Sequence, residues 1–312
     1  MLVGFAAAAY SIVANDAIQT LGTFLSSNSK RPWWSLWLFA VSILSIVLVY
    51  SWVVHDGDVS YGRLSKIPVP ETFHWYFVVP PFVLLALTRL GVPVSTTFLI
   101  LTIFAPKNLV SMVTKSGLGY VLAFGLAIVV YSATAQSMEK RFIDTAKREP
   151  SQNWVVLQWA STGFLWSQWL VQDLANIFVY LPRKLTLGYL LGALVLMVAL
   201  HAYTFYSSGG EIQKIVTSKT NTGDIRAATI VDFLFGIILL IFKEYSKIPM
   251  STTWVFLGLL AGREIALTRA LHLRSMRETS KIVMKDGGKA MVGLAVSVVL
   301  ALTLPLLAGV VG

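Results

Sequence analysis

Asp16 and Asp173 are carboxylates set inside apolar runs, with amides and hydroxyls beside them in place of bases. The first stands in Asn15-Asp16-Ala17-Ile18-Gln19-Thr20 and the second in Gln172-Asp173-Leu174-Ala175-Asn176. An acid at the centre of a membrane-spanning helix costs roughly 2.5–3.5 kcal/mol unless something neutralises it. Both are therefore candidate sites for a cation or a proton. Each is followed by a proline with a hydroxyl cluster: Pro93-Val94-Ser95-Thr96-Thr97 and Pro249-Met250-Ser251-Thr252-Thr253. A helix that starts on Ser and Thr offers free N–H groups, the positive end of its dipole and hydroxyl donors, a combination that suits an oxyanion. The aspartates are 157 residues apart and the prolines 156, half the 312-residue chain. A cation site and an anion site stated twice read as a duplicated carrier.

The elements that hold these residues must be membrane helices. The chain is 56% hydrophobic and 13% charged, with mean hydropathy +0.71, where a soluble domain is about 25% charged. Apolar stretches fall at 1–27, 33–54, 73–90, 92–113, 117–138, 153–181, 184–207, 226–243, 249–266 and 284–311. Five fall in each half, and an odd number inverts the second copy. The expected architecture is all-α: a first repeat over 1–138, a cytoplasmic linker over 139–152 and an inverted repeat over 153–312, with broken or re-entrant helices. Pro80-Pro81 is expected to kink the third stretch. Pro93 and Pro249 are expected in the first turn of half-helices.

The net charge of +10 does not call for nucleic acid, because the basic residues lie between the apolar runs. Seventeen of the 25 Lys and Arg share one side. They include Lys30, Arg31, Arg89, Lys147, Arg226 and the run from Arg263 to Lys289. The other side holds Arg63, Lys66, Lys107, Lys115, Arg183, Lys184, Lys243 and Lys247. The positive-inside rule then places both termini outside, in a plasma membrane. No Lys or Arg is expected in the middle of a span. The start Met1-Leu2-Val3-Gly4-Phe5 has no basic region, and its apolar run continues into Asn15-Asp16, which argues against a cleaved leader.

Other chemistry finds little support. Cysteine is absent, and His55, His74, His201 and His272 have no metal-ligand spacing. No phosphate-cradling loop, HExxH or Ser/His/Asp set stands in the chain, so neither an enzyme nor an ATP-driven pump is indicated and no cofactor is expected. Asp232 is a third acid in an apolar run, open to a coupling role or a structural one. His201 reads as a packing residue, and the ten tryptophans as interfacial belts. Gly188-Tyr189-Leu190-Leu191-Gly192 is a GxxxG match that could serve a homodimer.

These residues resemble the inorganic phosphate transporter (PiT) family of secondary carriers. Its mark is a duplicated Gly-Ala-Asn-Asp-Val-Ala-Asn-Ala signature, each copy followed later by Pro-x-Ser-Thr-Thr-His. Here the copies stand as 14–23 and 171–178, then 93–97 and 249–253, with Gly209-Gly210 before a Lys-bearing loop. Gln19 and Gln172 stand where the family has asparagine, Val179 where it has glycine, and Phe98 and Trp254 where it has histidine. The second stretch lacks the glutamate of many members. The resemblance implies import of an oxyanion, phosphate or in some members sulfate, by symport with Na⁺ or H⁺ through alternating access. The anion would sit on Ser95, Thr96, Thr97, Ser251, Thr252 and Thr253 with Asn15, Gln19, Gln172 and Asn176, and Na⁺ at Asp16 and Asp173. A member that has lost transport and serves as a sensor or assembly partner is the other class.

Overall fold

The structure, a computed structural model, describes residues 1–146, 148–209, 213–219, 222–245 and 249–308. Lys147, Gly210 and Lys247, which figured in the charge and motif readings, lie outside them. Among the described residues the chain is all helical. The helices are α1 (Leu2–Ser27), α2 (Trp33–Val54), α3 (Trp75–Arg89), α4 (97–104), α5 (Pro106–Asp144) and α6 (Gln152–Phe178). There follow α7 (Leu187–Tyr206), the short α8 (Gln213–Thr217), α9 (Ile225–Tyr245), α10 (Thr252–Leu271) and α11 (Met276–Leu307).

Six of these, α1, α2, α5, α7, α9 and α11, are long and apolar enough to cross a membrane. The protein is a multi-pass membrane protein. α1 and α9 form the interior, with 67% and 56% of their apolar windows buried, whereas α2, α5 and α7 bury only 28%. Those outer helices turn Leu38, Ile46, Val53, Val121, Val129 and Val195 outward, the pattern of a surface solvated by lipid. α6 is buried instead, and its Gln158, Thr162, Gln172, Asp173 and Asn176 face protein. It is too polar to count among the six.

Several breaks differ from expectation. No turn separates 92–113 from 117–138: α5 runs straight through, because Thr114 and Ser116 return their hydroxyls to Val110 and Met112 of their own helix. The chain breaks earlier, at Ala105-Pro106, where proline cannot continue α4. Lys115 is thus inside a helix and not in a loop. Pro80 and Pro81 open the α-helical part of α3 and kink nothing. Pro93 and Pro249 lie in non-helical segments ahead of α4 and α10, and Ser251 is the residue that caps α10, accepting from Trp254 N at 3.2 Å. α10 is a full helix of 20 residues; only α4 is short. α5 also continues to Asp144, so the first residues of the expected linker are helical.

Packing partners correspond between the halves. α3 lies on α1 as α9 lies on α6, and α2 meets α7. The fourth and fifth helices are exchanged across the chain midpoint: α4 packs on α11, and α10 on α5. The α5–α10 contact is backbone-close. A Cβ on Gly258 would stand 2.4 Å from Tyr120 O, and one on Gly262 2.3 Å from Phe124 O. Gly258-Leu-Leu-Ala-Gly262 is therefore the GxxxG motif that the fold uses, whereas Gly192 faces open space. The tryptophans divide too: Trp33, Trp34 and Trp75 are exposed at helix starts, but Trp166 and Trp169 stack inside the core, 4.8 Å apart.

Replacing Gly262 with Val should force α5 and α10 apart at a cost of about 1–3 kcal/mol or more. We expect a lower melting temperature in detergent for Gly262→Val. Gly125→Val, with nothing within 4 Å on the same helix pair, should melt like the parent. Equal melting of both variants would refute the backbone contact.

Candidate functional site

Local geometry decides which way the first aspartate points. Residues Val13–Ala17 form a π turn in the middle of α1, a wider coil that recurs at functional sites. It brings the neighbours Asn15 and Asp16 to one side, where Asn15 Nδ2 donates to Asp16 Oδ1 at 2.7 Å and to Val94 O at 2.7 Å. Thr96 Oγ1 donates to Asp16 Oδ2 at 2.5 Å. The proton of Thr253 Oγ1 is shared between Val94 O at 3.3 Å and Asp16 Oδ1 at 3.5 Å.

In the second half α6 keeps its regular pitch, so the asparagine that shares a face with Asp173 is three residues on. Asn176 Nδ2 donates to Asp173 Oδ1 at 2.8 Å, and Thr252 Oγ1 to Asp173 Oδ2 at 2.7 Å. Thr97 Oγ1 donates to Met250 O at 3.1 Å, answering the bond from Thr253 to Val94. The same Asn176 amide reaches Thr96 Oγ1 at 2.8 Å. Asp16, Thr96, Asn176 and Asp173 thus form one hydrogen-bonded chain between the halves. All four are at most 2% exposed.

The remaining residues of the expected site lie around this chain. Ser95 Oγ accepts from Phe98 N at 3.3 Å, and Ser251 N donates to Ser116 Oγ at 2.8 Å. Gln19 Nε2 is spent on Asn15 Oδ1 and Gln172 Nε2 on Leu239 O. Their oxygens, Gln19 Oε1 and Gln172 Oε1, and Asn176 Oδ1 are buried with no donor. The amides therefore present acceptors, not the anion donors expected of them. Oxygen acceptors, with the backbone carbonyls of Val94 and Met250 from unwound chain, are the ligand type that a hard cation takes.

No known family model matches the sequence, and no curated protein does. A solved structure described as the sodium-dependent phosphate transporter matches with a TM-score of 0.60 over 98% of both chains, at 16% sequence identity. This chain has that fold. Phe98 and Trp254, each directly after a Ser-Thr-Thr run, pack edge to face with ring centroids 5.5 Å apart. This aromatic pair makes an apolar contact between α4 and α10.

Asp232 lies off the chain, in a network of its own. It accepts from Thr23 and Thr162 at 2.5 Å each. Gln158 donates to Thr162, and Asn28 to Gln158. Asn28 lines a cavity of about 630 Å³ with Lys30, Arg31, Arg148 and Arg226. His201 packs as expected, its Nδ1 2.7 Å from Met197 O and its ring against Trp166.

Two basic residues were not anticipated. Arg263 is wholly buried within α10, paired with Glu139 at 3.2 Å and Glu264 at 3.5 Å and set over the Tyr131 ring. It stands inside a helix and not between apolar runs as expected, and acids on α5 and α10 neutralise it. Arg63 is 3% exposed in the loop after α2. Burial pulls its guanidinium down to about 10 while Asp173 acts in the opposite direction, so it stays charged at neutral pH. Neither residue belongs to a repeated motif, which was the signal the sequence offered.

Asn176→Ala would leave Thr96 and Asp173 each one donor short, a loss of about 1–3 kcal/mol. Chemical unfolding in detergent should show that loss for Asn176→Ala and a smaller one for Asn153→Ala, which is exposed at the start of α6. A stable Asn176→Ala protein would count against the chain as drawn.

Proposed function

We propose that this protein is a secondary carrier that imports an inorganic oxyanion, phosphate first among them, across the plasma membrane by symport with Na⁺, or with H⁺ in its place. The observation that carries this reading is the chain Asp16–Thr96–Asn176–Asp173, with Thr252 bonded to Asp173, which ties one acid of each half to the starts of α4 and α10. The solved neighbour is named for sodium-dependent phosphate transport, which supports the choice of ions.

The hydrogen bonds supply a coupling mechanism. Two buried carboxylates repel an anion, so cations bind first. Thr96 and Thr252 have one proton each, and both protons are spent on a carboxylate. Na⁺ against Asp16 and Asp173 takes over that duty, accepts the threonine lone pairs as ligands and frees the hydroxyl protons. They then turn toward the oxyanion, beside the N–H groups at the starts of α4 and α10. Gln19, Gln172 and Asn176 contribute their oxygens to the cations or to the hydroxyl of a protonated phosphate. In this reading the anion site exists only when the cation sites are filled, which is what symport requires.

The carrier works as an inverted repeat, residues 1–138 and 153–312, with its site at their interface near the bilayer midplane and both termini outside. Loaded and empty sites cross by alternating access.

The test is uptake of labelled phosphate by proteoliposomes holding the purified protein, with and without an inward Na⁺ gradient and with excess sulfate as competitor. Gradient-driven uptake that sulfate does not block is expected. Asp16→Asn and Asp173→Asn should each drop to the level of empty vesicles while eluting as folded protein. Wild-type uptake by both variants would sink the cation assignment. Block by sulfate would reassign the substrate, and no flux from folded protein would favour the sensor class.

A further inference from the structure

The loop between α2 and α3 is built to hold one side chain inward. Asp58 organises it as an Asx turn, accepting from Ser60 N at 2.7 Å, Ser60 Oγ at 2.6 Å and Gly62 N at 2.8 Å. Gly62 takes φ 73, a left-handed value that glycine adopts without strain. The loop is then fastened to both halves. Ser51 Oγ donates to Asp58 O, Arg183 donates to Ile67 O and Pro68 O, Leu185 N donates to Gly57 O, and Asn108 donates to Lys66 O. Val59, Ser60, Leu64 and Ile67 are buried along with Arg63. This loop packs on α6, the helix of Asp173.

Arg63 has no structural use for its charge in this setting. Among the described residues its guanidinium makes no hydrogen bond or ion pair, and its Nη1 is buried without a partner. Asp173 is near enough to act on it electrostatically, yet the two do not touch. A desolvated arginine is expensive unless something satisfies its donors. Its planar fork fits the oxygens of a tetrahedral anion better than any other side chain. Lys66 and Lys115 add their charges nearby, and like charges gathered at one mouth draw anions toward it.

We propose that Arg63 binds the transported oxyanion, receiving it from a basic mouth formed with Lys66 and Lys115 and setting it between its guanidinium and the cations held at Asp173. The inference rests on the carrier reading above and adds a fixed positive charge to a site otherwise made of hydroxyls and backbone N–H groups. The fork supplies donors that need not be released from a carboxylate first. It therefore acts on the affinity for the anion more than on the cation dependence.

The experiment compares wild type, Arg63→Gln and Arg63→Lys in the same proteoliposomes, reading KM for labelled phosphate, maximal rate and half-saturation by Na⁺. Arg63→Gln should raise the phosphate KM at least tenfold with Na⁺ half-saturation within twofold of wild type. Arg63→Lys, which keeps the charge and loses the fork, should fall between. An unchanged phosphate KM in Arg63→Gln overturns the inference and leaves the carrier reading standing. If Arg63→Gln does not fold, the folded Arg63→Lys protein decides: a raised KM supports the role, and an unchanged one rejects it. No oxyanion uptake by the wild type would remove the carrier reading and this inference together.

Discussion

Two carboxylates buried in one protein interior must each be satisfied, and much of this fold follows from how that is done. Asp16 and Asp173 each take one amide proton and one threonine proton, with a share of the Thr253 proton added at Asp16, and the threonines stand where a helix starts just after non-helical chain. That chain must be unwound to bring hydroxyls and carbonyls to the same place. The chain is non-helical at Pro93 and Pro249, and α4 and α10 start only after them. Irregular backbone shielded from solvent must be covered by protein or by water. The reciprocal bonds Thr97 to Met250 O and Thr253 to Val94 O supply that cover, each half sealing the open segment of the other.

The halves solve the same problem by different means. In α1 the π turn makes the residue before the acid its partner, while in α6 the regular helix gives that place to the residue three further on. The amide lengths follow: Asn15 and Asn176 are the short ones that bond a carboxylate, and Gln19 and Gln172 the long ones that reach elsewhere. Gln19 and Gln172 sit where no carboxylate takes their amide protons. Phe98 and Trp254 likewise turn away from the carboxylates and onto each other.

The paired motifs were legible because their parts are rare: acids and hydroxyl clusters stand out in apolar sequence, and equal spacing links them. Helix existence was also legible, from hydropathy. What escaped notice depended on which partner each side chain takes, near or far in sequence. The straight run of α5 through Lys115 and Ser116 could not be seen, because hydroxyls bonding to their own helix look like a polar turn. Arg263 looked like a loop residue until Glu139, 124 positions earlier, came to lie against it. Gly258 and Gly262 looked no different from Gly188 and Gly192, and only the neighbouring backbone separates the pair that packs from the pair that does not.

The glycine contact between α5 and α10 also bears on how such a molecule can move. These helices belong to different sequence halves, yet their backbones touch with no room for a methyl group. A motion that kept each half rigid would have to shear that seam open and slide the carbonyls of Tyr120 and Phe124 past the glycines. A motion that keeps the seam closed takes α5 and α10 together as one piece. By the corresponding packing, α4 goes with α11. The mechanical units of this protein are then braided across its midpoint, and the boundary between its sequence halves is not the boundary along which the structure can hinge.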